Sequence, residues 1–133
     1  MIRLPLLILT FVVVNLAACS PRVEHSDIVG VYQLAYPFGV ERLQLRADGS
    51  YVQSLTLRGQ TTSISHSGAW EYAAPRRLVT VHDPLQFGDY FGELNPSYLI
   101  PVKGTWNLTV EKTFGDVSLT WKDKLSVKFE KLK

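Results

Sequence analysis

Cysteine is almost missing: Cys19 is the only one in 133 residues, so no disulfide can form within the chain. An excess of one charge is missing too. The chain carries 14 basic and 12 acidic residues, a balance that gives no electrostatic reason to expect a nucleic-acid partner. Beyond the N-terminal segment no apolar run approaches the roughly 20 residues that a bilayer span needs. Signatures of catalysis are likewise absent. There is no Gly-x-Ser-x-Gly elbow, and Ser65-His66-Ser67 are neighbours whose side chains would alternate across a strand and never meet as nucleophile and base. His25, His66 and His82 have no close ligand-type neighbour at metal-binding spacing. Glu41, Glu71, Asp83 and Glu93 are scattered, and none forms an evident pair. The expectation is a protein that is not an enzyme and holds neither metal nor cofactor.

What is present begins at Met1. Arg3 supplies a positive end, Leu4 to Val14 is apolar apart from Pro5 and Thr10, and small residues follow, which are the three parts of an export signal. Leu16-Ala17-Ala18-Cys19 resembles the lipobox of bacterial lipoproteins. That resemblance implies a signal peptide over residues 1–18, a thioether-linked diacylglycerol on Cys19, and acylation of its new amino group, typically by palmitate. Ser20 stands where an inner-membrane retention signal would place Asp, which implies an outer-membrane anchor with the domain facing the periplasm or the outside. Each buried methylene contributes about 0.8 kcal/mol, so several acyl chains hold a protein on a membrane almost permanently. The mature chain would carry 13 basic against 12 acidic residues. Residues 19–26, polar and containing Pro21, read as a lipidated tether, and residues 27–133 as one domain.

Within that domain, runs rich in Val, Leu, Thr, Tyr and Trp recur between Gly, Pro, Asp and Asn, a pattern that predicts an all-β antiparallel meander of about eight strands. The predicted strands start at Ile28–Leu34 and continue through a hairpin over Glu41–Leu57. Leu43 and Leu45 alternate with Arg42, Gln44 and Arg46, and Tyr51, Gln53, Leu55 and Leu57 share one face. Both faces agree only if Leu45 opposes Tyr51, which leaves Ala47-Asp48-Gly49 as a loop with Gly49 at positive φ. Thr62–Tyr72, Leu78–His82 and Gly104–Glu111 are further strands. At the C-terminus, pairing Trp121 with Leu125 makes one apolar face and leaves Lys122-Asp123-Lys124 as the turn. The lysines there, including Lys128, Lys131 and Lys133, read as guards of a sheet edge, or alternatively as an attraction to anionic lipid or glycan. Gly30-Val31-Tyr32, Gly68-Ala69-Trp70 and Gly104-Thr105-Trp106 form three glycine–aromatic pairs. Either they mark a repeat that bends strands around a barrel, or the glycines start strands and the aromatics fill the core.

Gly30-Val31-Tyr32, then Leu43-x-Leu45-x-x-Asp48-Gly49-x-Tyr51, then Gly68-x-Trp70 resemble the small lipocalin-like barrels of bacterial envelopes. The chain departs from them in having Tyr32 where tryptophan is usual, and in lacking an arginine near the last strand. The resemblance implies a lipocalin-like barrel; the composition alone leaves an open β-sandwich as the alternative. Asp83 to Pro101 is long for a connection and gathers Phe87, Tyr90, Phe91 and Tyr98, so it is the expected site for a ligand or partner. The alternative for that loop is a plug of one barrel end. Two functions are expected from this reading. One is a lipid-anchored carrier or sensor of a small apolar or amphipathic ligand. The other is a protein-interaction lipoprotein, such as a hydrolase inhibitor, an immunity protein or an envelope assembly factor.

Overall fold

A computed structural model describes residues 22–121 and 127–133. Alternating apolar and polar residues form β1 (Gly30–Tyr36), β2 (Gly39–Leu45), β3 (Ser50–Leu57), β4 (Ser63–Ala73), β5 (Leu78–His82), β6 (Thr105–Thr113), β7 (Asp116–Trp121) and β8 (Lys128–Lys131). Each strand pairs antiparallel with the next, and β8 returns to β1 through Tyr32 opposite Lys131 and Gln33 opposite Glu130. The sheet is a closed, lipocalin-like meander barrel and not an open sandwich. Closure has a physical motive, because an open sheet exposes two rows of unpaired backbone groups and a barrel exposes none. The lysines of β8 therefore guard no edge: that strand is paired on both sides.

The β2–β3 hairpin follows its alternation. Leu43, Leu45, Tyr51 and Leu55 are buried, and Leu45 lies opposite Tyr51. Gly49 N–H donates to Arg46 O at 3.1 Å and Arg46 N–H donates to Ser50 O at 2.9 Å, while Gly49 has φ +85°. This is the loop closed by a G1 bulge. Gly49→Val would force a β-branched residue into the left-handed region, with an expected loss of about 1–3 kcal/mol. Urea midpoints at constant slope would measure it, and Gly49→Asn, which tolerates that φ, should recover most of the loss.

Register in the C-terminal hairpin differs from the expectation. Leu119 lies opposite Phe129, and Trp121 N–H donates to Val127 O at 3.2 Å. The pairing is thus offset by two residues from one that sets Trp121 against Leu125. A slip of two leaves every side chain on its own face, so alternation cannot detect it. In the observed register the Trp106 ring lies 4.9 Å from Trp121 and 6.2 Å from Phe129. Lys122-Asp123-Lys124, expected as the turn, and Leu125 lie outside the described residues.

Ile28, expected in the first strand, instead ends a single helical turn, α1 (His25–Ile28). A capping box starts it, with Glu24 N–H donating to Asp27 Oδ2 at 2.8 Å. Val23 and Ile28 are buried with the barrel core. Tyr32 Oη donates to Ile28 O at 2.6 Å, Tyr72 Oη donates to Val23 O at 2.9 Å, and the His25 ring stacks on Trp70 at 4.8 Å. Tyr32 thus uses its hydroxyl to hold α1. Within residues 23–26, expected as tether, Val23 is buried against the barrel and His25 stacks on it. The α1 end of the barrel is also where the β2–β3, β4–β5 and β6–β7 turns lie.

The glycine–aromatic pairs serve the core. Tyr32, Trp70 and Trp106 are all buried. Gly30 opens β1, Gly104 directly precedes β6, and Gly68 lies inside β4 beneath the Tyr51 ring, where a Cβ would come within 2.8 Å of a ring carbon.

Candidate functional site

The β5–β6 connection, residues 83–104, covers the barrel end opposite α1. Its base is stapled. Asp83 adopts φ +49°, a conformation Asp tolerates better than most residues. Asp83 N–H donates to Gly104 O at 2.8 Å, and Gly104 N–H donates to Asp83 Oδ1 at 3.1 Å. Tyr51 Oη donates to His82 O at 2.6 Å, and His66 Nε2 donates to Asp83 O at 2.8 Å. Beyond the base the loop folds into two plies, with Leu85 bridging Pro101 and Gly88 bridging Leu94. Asp89 Oδ1 turns the tip by accepting from Phe91 N at 2.8 Å and Glu93 N at 2.9 Å.

The inner ply enters the barrel. Leu85 and Phe87 are buried against Leu55, ringed by Phe38, Leu57, Ile64, Leu94 and Tyr98. Beside this cluster lies a polar latch. The Gln53 amide pairs with the Leu85 backbone as a strand would: Leu85 N donates to Oε1 at 2.8 Å and Nε2 donates to Leu85 O at 2.7 Å. Gln53 Nε2 also donates to Glu41 Oε1 at 2.8 Å, and Tyr36 Oη donates to Glu41 Oε2 at 3.0 Å. Glu41 and Gln53 are fully buried. Burial pushes the Glu41 carboxyl up to about 7, and the hydrogen bonds from Gln53 and Tyr36 offset part of that rise. Burial also raises the Tyr36 hydroxyl, with the Glu41 charge adding to it.

The tip behaves differently. Tyr90 is 75% and Phe91 83% exposed, their rings edge-on at 5.4 Å. Leu99 and Ile100 of the outer ply are exposed as well. Beneath the tip lies a cleft of about 220 Å³ whose lining includes Leu34, Tyr36, Gly88, Tyr90, Phe91 and Trp121. Gly88 permits this close approach, since a Cβ there would lie 2.7 Å from the Tyr36 ring. The volume falls below the roughly 300 Å³ at which small-molecule pockets begin.

The four loop aromatics therefore divide. Phe87 and the half-buried Tyr98 belong to the plug, whereas Tyr90 and Phe91 are presented outward. Cys19 lies outside the described residues. The latch escaped the sequence reading, although a signal existed: Glu41 sits two residues before Leu43 and Gln53 two after Tyr51, so both are polar residues at inward positions. The remaining candidates are dispersed. His82 Nε2 lies 3.0 Å from Glu71 Oε1 on the outer wall, His25 caps the opposite end, and Glu93 is exposed at the tip. Among the described residues no three His, Cys, Asp or Glu side chains gather as metal ligands. No protein-family model matches the chain, and no curated protein or solved structure matches it either.

Proposed function

We propose that this chain is a lipid-anchored protein of the bacterial envelope that binds another protein through the Tyr90–Phe91 tip. The lipobox-like Leu16-Ala17-Ala18-Cys19 supports the anchor, and Ser20 supports the outer membrane as its place. The observation that carries the binding reading is the split of the loop, which buries Phe87 while leaving two aromatic rings in solvent over a cleft of about 220 Å³. Such a cleft suits one apolar side chain of a partner. Carriage of a small apolar ligand within the barrel finds less support. The interior is filled by Tyr32, Leu43, Tyr51, Leu108, Leu119 and Phe129, and α1 and the loop cover its two ends. The reading assigns recognition and no catalysis.

The test uses the full chain in a bacterial host fed labelled palmitate, with a photo-crosslinking residue in place of Phe91 or, as control, of Val52 on the outer wall. The palmitate-bearing protein should crosslink to a discrete protein from position 91 and not from position 52. Without the crosslinker, Tyr90→Ser with Phe91→Ser should lower co-purification of that protein at least 30-fold, the loss of about 2 kcal/mol that one central aromatic anchor contributes. The stability of that double variant should stay within about 1 kcal/mol of the parent, as both rings are exposed. Equal adducts from both positions would remove the partner reading, and a chain without palmitate would remove the anchor.

A further inference from the structure

A third exposed aromatic stands at the α1 end of the barrel. Phe114 and Gly115 form the two-residue β6–β7 turn, with Thr113 opposite Asp116. Both have positive φ, +50° and +84°, as a type I′ hairpin turn requires. The first position of such a turn favours Asn, Asp or Gly, and a bulky side chain with φ above zero is an outlier. Phe114 is nonetheless fully exposed, at 104%. Neither local backbone preference nor burial within the domain explains a phenylalanine here.

Its position does. Lys112, two residues earlier, lies 3.5 Å from Asp27 in α1, and Lys131 Nζ donates to Asp27 O at 2.7 Å. The turn thus sits beside the segment that leads to Cys19. Val23 is buried and bonded to Tyr72, so only four residue steps separate it from Cys19, a reach of at most about 14 Å. A lipid on Cys19 would hold this end of the barrel against the membrane. The charges around Phe114 nearly cancel. A groove of about 400 Å³ beside it is lined by Lys128, Lys131 and Lys133 but also by Asp116 and Glu130, and Lys133 lies 3.7 Å from Asp116. The ring, more than any net charge, is what this surface offers to lipid.

We propose that the β6–β7 turn is a membrane wedge: Phe114 enters the bilayer interface beside the Cys19 anchor, as a second contact that fixes the tilt of the barrel. The proposal rests on the lipid-anchor reading. With it, the Tyr90–Phe91 tip, at the opposite end, is held away from the membrane.

The experiment places a nitroxide label on Thr113→Cys in the full-length protein, purified from the membranes of its bacterial host and reconstituted in vesicles of phosphatidylethanolamine and phosphatidylglycerol. Gln60→Cys, in the β3–β4 loop at the far end, is the control. The label at position 113 should be reached by oxygen dissolved in the lipid and shielded from a water-soluble nickel chelate, and the label at position 60 should show the reverse. Adding Phe114→Ser should raise nickel access at position 113 several-fold while leaving position 60 unchanged. If position 113 is as open to nickel as position 60 with Phe114 present, the wedge is wrong. Counting labels by intact mass separates the two readings. A lipidated Cys19 has no free thiol, so one label per chain with a wet position 113 overturns the wedge alone. Two labels per chain overturn the anchor and the wedge together.

Discussion

Truncating Phe87 to alanine should lower the unfolding free energy by about 3–5 kcal/mol, the range for large aromatic deletions from a packed core. Phe87 is fully buried against Leu55 and Leu85 at the mouth of a closed sheet. Strands locked by pairing on both sides cannot collapse readily into the space left behind, which favours the upper half of that range. Phe91→Ala, four residues away on the same loop but 83% exposed, should change stability by less than about 0.5 kcal/mol. Urea unfolding of both variants at one pH measures the contrast. A loss below about 1 kcal/mol for Phe87→Ala would mean that the loop does not seal the barrel, and carriage of a ligand inside would regain its case.

The second large effect is electrostatic. In the unfolded chain Glu41 titrates near its ordinary value of 4.5, and in the fold near 7. Between those values the native state holds more protons than the unfolded state, so stability falls as pH rises from about 4.5 to 7 and is flat beyond. A difference of this size corresponds to about 3 kcal/mol. Glu41→Gln keeps an oxygen to accept from Gln53 and offers an amide to the Tyr36 hydroxyl, while removing the charge. The parent should therefore lose about 3 kcal/mol relative to the variant between pH 4.5 and pH 8. Asp27, held low by the Glu24 backbone, and Asp48, held low by the Ser50 side chain, contribute with the opposite sign and at lower pH. Both are present in each protein and cancel in the difference. Parallel stability curves for parent and variant would show that Glu41 is not buried as a carboxylate. Because Gln53 joins Glu41 to Leu85, ionisation also loads the contact that seats the loop.

Strand number and the β2–β3 turn were legible because period-two alternation and a glycine at one special φ are local signals. Leu45 and Tyr51 can share a face in one way only. The C-terminal register was not legible, since a slip of two residues conserves every face and only the packing of Trp106 against Trp121 and Phe129 marks it. The docking of Val23 and α1 was hidden for a different reason. A four-residue helix has no amphipathic period to detect, and its hold depends on the distant hydroxyls of Tyr32 and Tyr72. For the site, the sequence marked the loop but could not divide it. Phe87 and Phe91 are the same residue type four positions apart, and what separates them is distant in sequence: the Gln53 latch on Leu85, 32 residues earlier, and the packing of Phe87 with Leu55.

Pairing of β1 with β8 joins Tyr32 to Lys131, whereas every other strand pair joins chain neighbours. Seven of the eight ladders can form in order as the polypeptide emerges; the eighth cannot begin until almost the whole chain is out. At synthesis rates of about 5–20 residues per second the first strand waits roughly 5–20 s for its second partner. During that wait it presents a bare edge of the kind that recruits other chains. The seam thus sets how long that first edge stays open. A nascent chain halted before residue 128 would hold seven strands, two open edges and no means of closing, the form in which a protease or a chaperone would meet it.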